Sequence, residues 1–155
     1  MSKIEDKLKT MGVTLPAAFK FAKPNRRGCM AVEKILYCSG QGPADLPGVK
    51  RKGKLGAELT IEEGNAAARA TAINILAAMK EYLGDLDKVE RIISVFGMVN
   101  AMPTFEQPSQ VIDGFSDFIY ELWGPENGWH TRCAVGMATL PGNQPVEIKT
   151  EWLLK

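Results

Sequence analysis

The stretch RIISVFGMV, Arg91 to Val99, constrains this chain more than any other, because it is almost continuously apolar. A strand exposed on one side alternates apolar with polar side chains, so an unbroken apolar run indicates a central strand covered on both faces. Only two long helical segments flank it, and helices packed on one side of a sheet leave the other side open. Another subunit is the natural second cover.

The first long helix is marked at both ends. Thr60 and Glu63 have capping-box spacing, and Ala66, Ala70, Ile73, Leu76 and Ala77 follow at helical intervals up to Leu83-Gly84. Its alanine-rich face is narrow and suits close packing on a sheet. A second helix runs from about Pro108 or Ser109 to Trp123, with Val111, Phe115, Phe118, Ile119 and Leu122 on one face and Gly124-Pro125 as its stop. Ile4, Leu8 and Met11 predict a short amphipathic opening helix, peripheral to the rest, that ends at Gly12. In AVEKILYCSGQ a turn feeds a strand through Ile35–Cys38 that ends at Ser39-Gly40, while strands near 131–139 and 146–153 flank PGNQP. The order β-β-α-β-α-β-β predicts an α+β sandwich with the helices on one face of a mixed sheet.

Composition narrows the partners. The 155 residues fit one domain spanning 1–155, and 45% hydrophobic with 24% charged residues is ordinary globular usage. Nineteen Lys and Arg against 18 Asp and Glu leave a net charge of +1, so no global field favours nucleic acid or an anionic membrane. The basic run VKRKGK, Val49 to Lys54, reads as a solvated loop or edge strand. Cys29, Cys38 and Cys133 form neither a disulfide framework nor a zinc pattern, and a single histidine makes a metal site improbable. No metal or cofactor is expected. The acid- and lysine-bearing start and the lack of a run of about 18 apolar residues predict a cytoplasmic location.

One strand carries the functional signal. In HTRCAVGMATLP, Thr131, Cys133, Val135 and Met137 share a face that reads as core, with Cys133 as inert packing, while Arg132 stands beside Ala134, Gly136 and Ala138 on the other. A long cation beside a floor of tiny residues leaves room for a ligand. SGQ at Ser39–Gln41, RCAVGMATLP at Arg132–Pro141 and VEI at Val146–Ile148, in that order, resemble the reactive-intermediate deaminase family of RidA or YjgF-type proteins, also labelled endoribonuclease L-PSP. Gly53–Lys80 is similar to a longer branch with an N-terminal helix; the resemblance covers roughly residues 30–155. It implies a chorismate-mutase-like fold assembled as a homotrimer, with ligand clefts between subunits.

The resemblance also implies residue roles. Arg132 would fork onto the carboxylate of a 2-keto or 2-imino acid, a task suited to guanidinium geometry. Glu147 would orient a water, Ser39 and Gly40 would line the cleft with hydroxyl and backbone amide, and the backbone of Ala134 would serve where relatives often carry cysteine. The position of a common family aromatic falls near Arg26. No family residue is carried over from the second long helix, where Asp113 is the polar candidate. Without the resemblance, Arg132 reads as an ion-pair partner, and Glu147, beside Lys149 and Glu151, reads as a solvated strand residue. Ser39-Gly40 reads as a strand-ending turn. Trp129 reads as a cleft wall or an anchor, and His130 as a rim or structural residue.

Geometry adds a condition. A plain terminal hairpin about Gly142-Asn143 would hold Arg132 and Glu147 roughly 20 Å apart. The last two strands are therefore expected to be non-adjacent, or the two residues to meet from different chains. The activity implied is hydrolysis of small enamine or imine carboxylates to 2-keto acids and ammonia; the alternative is a trimeric module that binds or senses small carboxylates without turnover. RNA cleavage, attached to some relatives, lacks a basic groove with stacking aromatics here.

Overall fold

Pairing in the sheet decides where every candidate residue points. The computed structural model describes residues 2–155. It contains helix α1 (Lys3–Thr10), strands β1 (Cys29–Val32) and β2 (Ile35–Gln41), helix α2 (Ile61–Leu83), strand β3 (Val89–Asn100), helix α3 (Pro108–Gly128), and strands β4 (Thr131–Met137) and β5 (Val146–Leu154). The sheet order is β1-β2-β5-β3-β4, with β3 and β4 parallel and every other pair antiparallel. This is the predicted mixed α+β arrangement. Because β5 lies between β2 and β3, the last two strands are not neighbours.

The helix signals act as read. Thr60 and Glu63 satisfy each other's backbone N–H groups in a capping box, and Gly84 ends α2 in the left-handed region. Gly124 (φ 79°, ψ 176°) breaks α3 ahead of Pro125, so the regular helix stops where the sequence placed it and one further turn reaches Gly128. The face of α2 is broader than expected. Ala66 is exposed, whereas the positions from Ala67 to Met79 are largely buried, because the helix packs on the sheet with one side and on α3 with another.

The core lies between this helical layer and one sheet face. Trp152, Phe115, Phe118, Ile112, Leu76 and Met79 are its large members, and the Trp152 indole N–H donates to Thr150 Oγ1 at 2.7 Å. The helices approach each other closely: a Cβ on Gly114 of α3 would stand 2.0 Å from the Asn65 carbonyl oxygen of α2. The other face of the sheet is uncovered, with Met30, Val32, Tyr37, Phe96 and Val135 all exposed.

That uncovered face corrects one expectation. Cys133 and Val135 lie on it and Cys133 is exposed, whereas Arg132 and Ala134 point to the helical layer. Alternation separates two faces without saying which is inward, and the long Arg132 side chain goes inward because α3 supplies its partners.

At the other end of the molecule, α1 is held by one carboxylate. Asp87 accepts from Ser2 Oγ at 2.8 Å and from the backbone N–H groups of Lys3 and Ile4 at 2.8 and 3.0 Å, while Leu8 enters the core. Desolvation pushes this carboxyl up, but the bonds from Ile4, Lys3 and Ser2 outweigh it and pull the pKa down to about 2.

Two outcomes follow from these contacts. Gly114→Ala will lower stability in urea denaturation by about 2–3 kcal/mol, although alanine is the better helix former, because a backbone oxygen cannot yield as a side chain can. The depressed Asp87 pKa means that its contribution is complete above the unfolded value near 4 and is lost as pH falls towards about 2. Hydrogen exchange at α1 amides should therefore accelerate through that window, and Asp87→Asn should abolish the pH dependence.

Candidate functional site

Strand register divides the predicted site residues into two groups. Arg132 stands opposite Val95, which stands opposite Thr150, while Glu147 stands opposite Met98, itself opposite Val135. Within one chain the two residues are thus three positions apart along the sheet and two strands apart across it, or ~10 Å in each direction at ordinary spacings. They also lie on opposite faces, since Val95 and Thr150 are buried beneath the helices and Glu147 shares the uncovered face with Lys149 and Glu151.

The first group gathers at the edge where β4 meets α3. The Arg132 Nη1 group donates to Asp113 Oδ1 at 2.8 Å and to Ser116 Oγ at 3.1 Å, and Nη2 reaches the Ser109 carbonyl only at 3.5 Å. Ser116 Oγ lies 2.9 Å from His130 Nε2, and His130 Nδ1 lies 2.8 Å from the Gly128 carbonyl. Burial lowers the His130 pKa from its ordinary value; the bond to Gly128 opposes this and the Arg132 charge adds to it. A concavity of about 300 Å³ opens here, lined by Ser116, Asp117, Tyr120, Trp129, His130 and Arg132. Trp129 forms its exposed wall. A second concavity of about 280 Å³ adjoins it on the uncovered sheet face, between Ser94, Phe96, Thr131, Cys133, Lys149 and Glu151.

The second group gathers where β2 meets β5. An irregularity in pairing between Cys38 and Gln41 brings Gly40 beneath Glu147: a Cβ at Gly40 would stand 2.3 Å from Glu147 Oε1. The Gln144 amide donates to Glu147 Oε2 at 3.1 Å. Ser39 belongs to this end, but its hydroxyl donates to the Arg27 carbonyl at 2.6 Å, a strand-end bond. Ala134 belongs with the Arg132 face and packs against the core.

Arg26 contributes to neither group. Its guanidinium stacks on Phe21 at 5.3 Å from the ring centroid. Asp113, the polar candidate of α3, is the partner of Arg132. Sequence reasoning missed Ser116, whose helical position carries no signal until β4 is laid beside α3. Among the described residues no cluster of three His, Cys, Asp or Glu is placed to hold a metal, and no helix is long and apolar enough to cross a membrane.

Comparisons with known proteins agree on the lineage of this chain. A family model described as "YjgF/chorismate_mutase-like, putative endoribonuclease" matches residues 5–148, beginning earlier than the sequence motifs indicate. Protein TCP17 of Trypanosoma cruzi is 43% identical over 141 residues, covering 91% of this chain and 88% of that protein. An Agrobacterium tumefaciens protein of unknown function has a crystal structure that superposes with a TM-score of 0.88 at 38% identity, covering 98% of this chain and 92% of its own. A Shewanella oneidensis protein carrying the same endoribonuclease designation superposes at 0.90 with 28% identity, covering 97% and 99%.

The close fit of Gly40 under Glu147 generates a test. Gly40→Ala should cost under about 1 kcal/mol, because a flexible side chain can swing away, whereas Glu147→Ala should remove the conflict. A double-mutant cycle in thermal unfolding is expected to show a coupling of at least about 0.5 kcal/mol, and additivity would deny the contact.

Proposed function

Because this chain belongs to the YjgF/chorismate mutase-like family, we propose that it hydrolyses small imines or enamines bearing a carboxylate, releasing ammonia and a 2-keto acid, in clefts between the subunits of a homotrimer. The observation that carries this reading is the Arg132 guanidinium beside a concavity of about 300 Å³. Nη1 is engaged by Asp113 and Ser116, but Nη2 makes only one long bond, so donors remain for an incoming carboxylate. Trp129 and Tyr120 supply apolar walls for the rest of a small ligand.

The division of the site supports assembly. Arg132 and Glu147 of one chain face opposite sides of the sheet, so Glu147 approaches a ligand held by Arg132 only from a neighbouring subunit. The uncovered Met30, Val32, Tyr37, Phe96 and Val135 offer apolar area for that subunit to bury. Free imines hydrolyse readily in water, so orientation contributing a few kcal/mol suffices as catalysis.

A second reading, carboxylate binding without turnover, draws on the separation of Arg132 from Glu147, which leaves no water-orienting carboxylate from that strand beside the clamp within one chain. RNA cleavage, which the relatives' designation raises, would require a surface that attracts phosphates, and the net charge is +1.

Two measurements test the proposal. Arg132→Ala should abolish the acceleration of ammonia release from 2-aminoacrylate while the far-ultraviolet spectrum and oligomer persist; an unchanged rate would refute the clamp, and keto-acid heats in calorimetry without ammonia release would favour the binding module. Light scattering should give three times 17.0 kDa for the parent chain, and Phe96→Glu should shift it towards the monomer.

A further inference from the structure

The hydrogen bonds around His130 form a directed chain. The Gly128 carbonyl can only accept, so His130 Nδ1, 2.8 Å away, carries the ring proton. Nε2 of the neutral ring is then an acceptor, and the Ser116 hydroxyl 2.9 Å away donates to it. The same hydroxyl accepts from Arg132 Nη1 at 3.1 Å. Donation thus runs from Arg132 to Ser116, to His130, to the Gly128 carbonyl, and the basic lone pair of the imidazole is linked through one hydroxyl to the proposed carboxylate clamp. All three side chains line the same concavity.

Several features hold the ring in this state. Phe115 meets it edge-on, with centroids 6.4 Å apart and planes at 85°. Half-burial favours the neutral ring, the form a base needs. The charged and titratable groups around it are Asp113, Asp117 and Tyr120 on α3, Arg132 on β4, and Arg91 on β3, which reaches the Trp129 carbonyl at 3.5 Å. Glu147 of the same chain is absent from that set, since it lies on the other face of the sheet.

We infer that His130, relayed through Ser116, moves the protons of imine hydrolysis at the Arg132 clamp. This rests on the clamp reading above and gives the proton-transfer role to a pair that no family motif marks. In the protonated imine, the water oxygen bonds to carbon and the C=N π pair moves onto nitrogen. The water proton passes to Ser116 as the Ser116 proton passes to His130 Nε2. The imidazolium returns a proton to nitrogen through the same hydroxyl. Loss of the carbinolamine hydroxyl proton to the imidazole then expels ammonia as the C–N bond breaks, and His130 finally releases that proton to solvent. The sum is iminium plus water giving keto acid, ammonia and one proton.

The test separates this inference from the clamp. His130→Asn keeps a donor for the Gly128 carbonyl but removes Nε2, and Ser116→Ala removes the relay. Each should lower kcat for ammonia release at least tenfold, and for His130→Asn, which leaves the Arg132 contacts intact, the calorimetric Kd for pyruvate should stay within twofold of the parent. The parent kcat should decline on the acid side as His130 protonates, and His130→Asn should lose that limb. Retained kcat together with a retained acid limb would overturn the inference, whereas Arg132→Ala at full rate would overturn the clamp itself. Imidazole NMR gives a readout independent of turnover. Pyruvate held at Arg132 adds a negative charge near the ring, so the His130 pKa should rise on titration, and a His130 signal indifferent to saturating pyruvate would also sink the relay.

Discussion

The insertion of β5 between β2 and β3 is the constraint on which the other features depend. Both long edges of β5 are paired, and its inward residues Val146, Ile148, Thr150 and Trp152 are all buried. The chain therefore cannot fold straight back from β4 as a hairpin. It crosses the end of β3 through Ala138–Pro145, a passage tied down by Lys54, which donates to Asn100 Oδ1 and the Ala138 carbonyl, and by the Asn100 amide, which donates to Asn143 Oδ1. Asn100 is buried, so these bonds fix the crossing in an environment where an unpaired amide would be costly. The result places β4 at an edge, with Arg132 under α3 and Glu147 two strands away.

Much of the architecture could be read from residues whose physics is local. Thr60 with Glu63, Gly84, and Gly124 before Pro125 each satisfy or terminate backbone hydrogen bonding within a turn, so their consequences do not depend on distant chain. Non-adjacency of the last two strands is one of the two outcomes the sequence leaves open, and the register realises it without bringing Arg132 and Glu147 together in one chain. What escaped was relational. Strand alternation sorts Arg132 from Cys133 but cannot say which side the helices take, and Cys133 faces outward. Ser116 looks like an ordinary helix residue until α3 lies along β4. The paired thiols of Cys29 and Cys38, 3.3 Å apart between antiparallel strands, likewise needed the register; burial, reinforced by the neighbouring thiol, pushes Cys38 well above the usual thiol range.

The Arg132–Asp113 pair is compatible with a ligand clamp. The Asp113 side chain is 46% exposed, so its attraction for the guanidinium is screened and contributes little as an isolated bond. Its structural effect is to fix one edge of a planar fork, which lowers the conformational freedom lost when the other edge takes a carboxylate. The Arg132 side chain is 21% exposed and borders the concavity lined by Ser116, Tyr120, Trp129 and His130, rather than a space above Ala134, which packs against the core. A solvated ion pair can thus also be a preorganised receptor.

Division of the site across a sheet has a consequence for assembly. Glu147, Gly40 and Gln144 form one cluster, and Arg132, Ser116 and His130 form another, with the sheet itself between them in a single chain. No rotation of side chains joins them, because each is anchored on a different strand and face. Joining them requires a second copy whose β2–β5 end approaches the first copy's β4 edge, which is a head-to-tail contact and closes only as a ring. Under the proposed function, the apolar uncovered face and the split polar site are then two parts of one requirement. Burying Phe96, Val135 and their neighbours between copies is also what would bring a carboxylate clamp and a water-orienting carboxylate into one cleft.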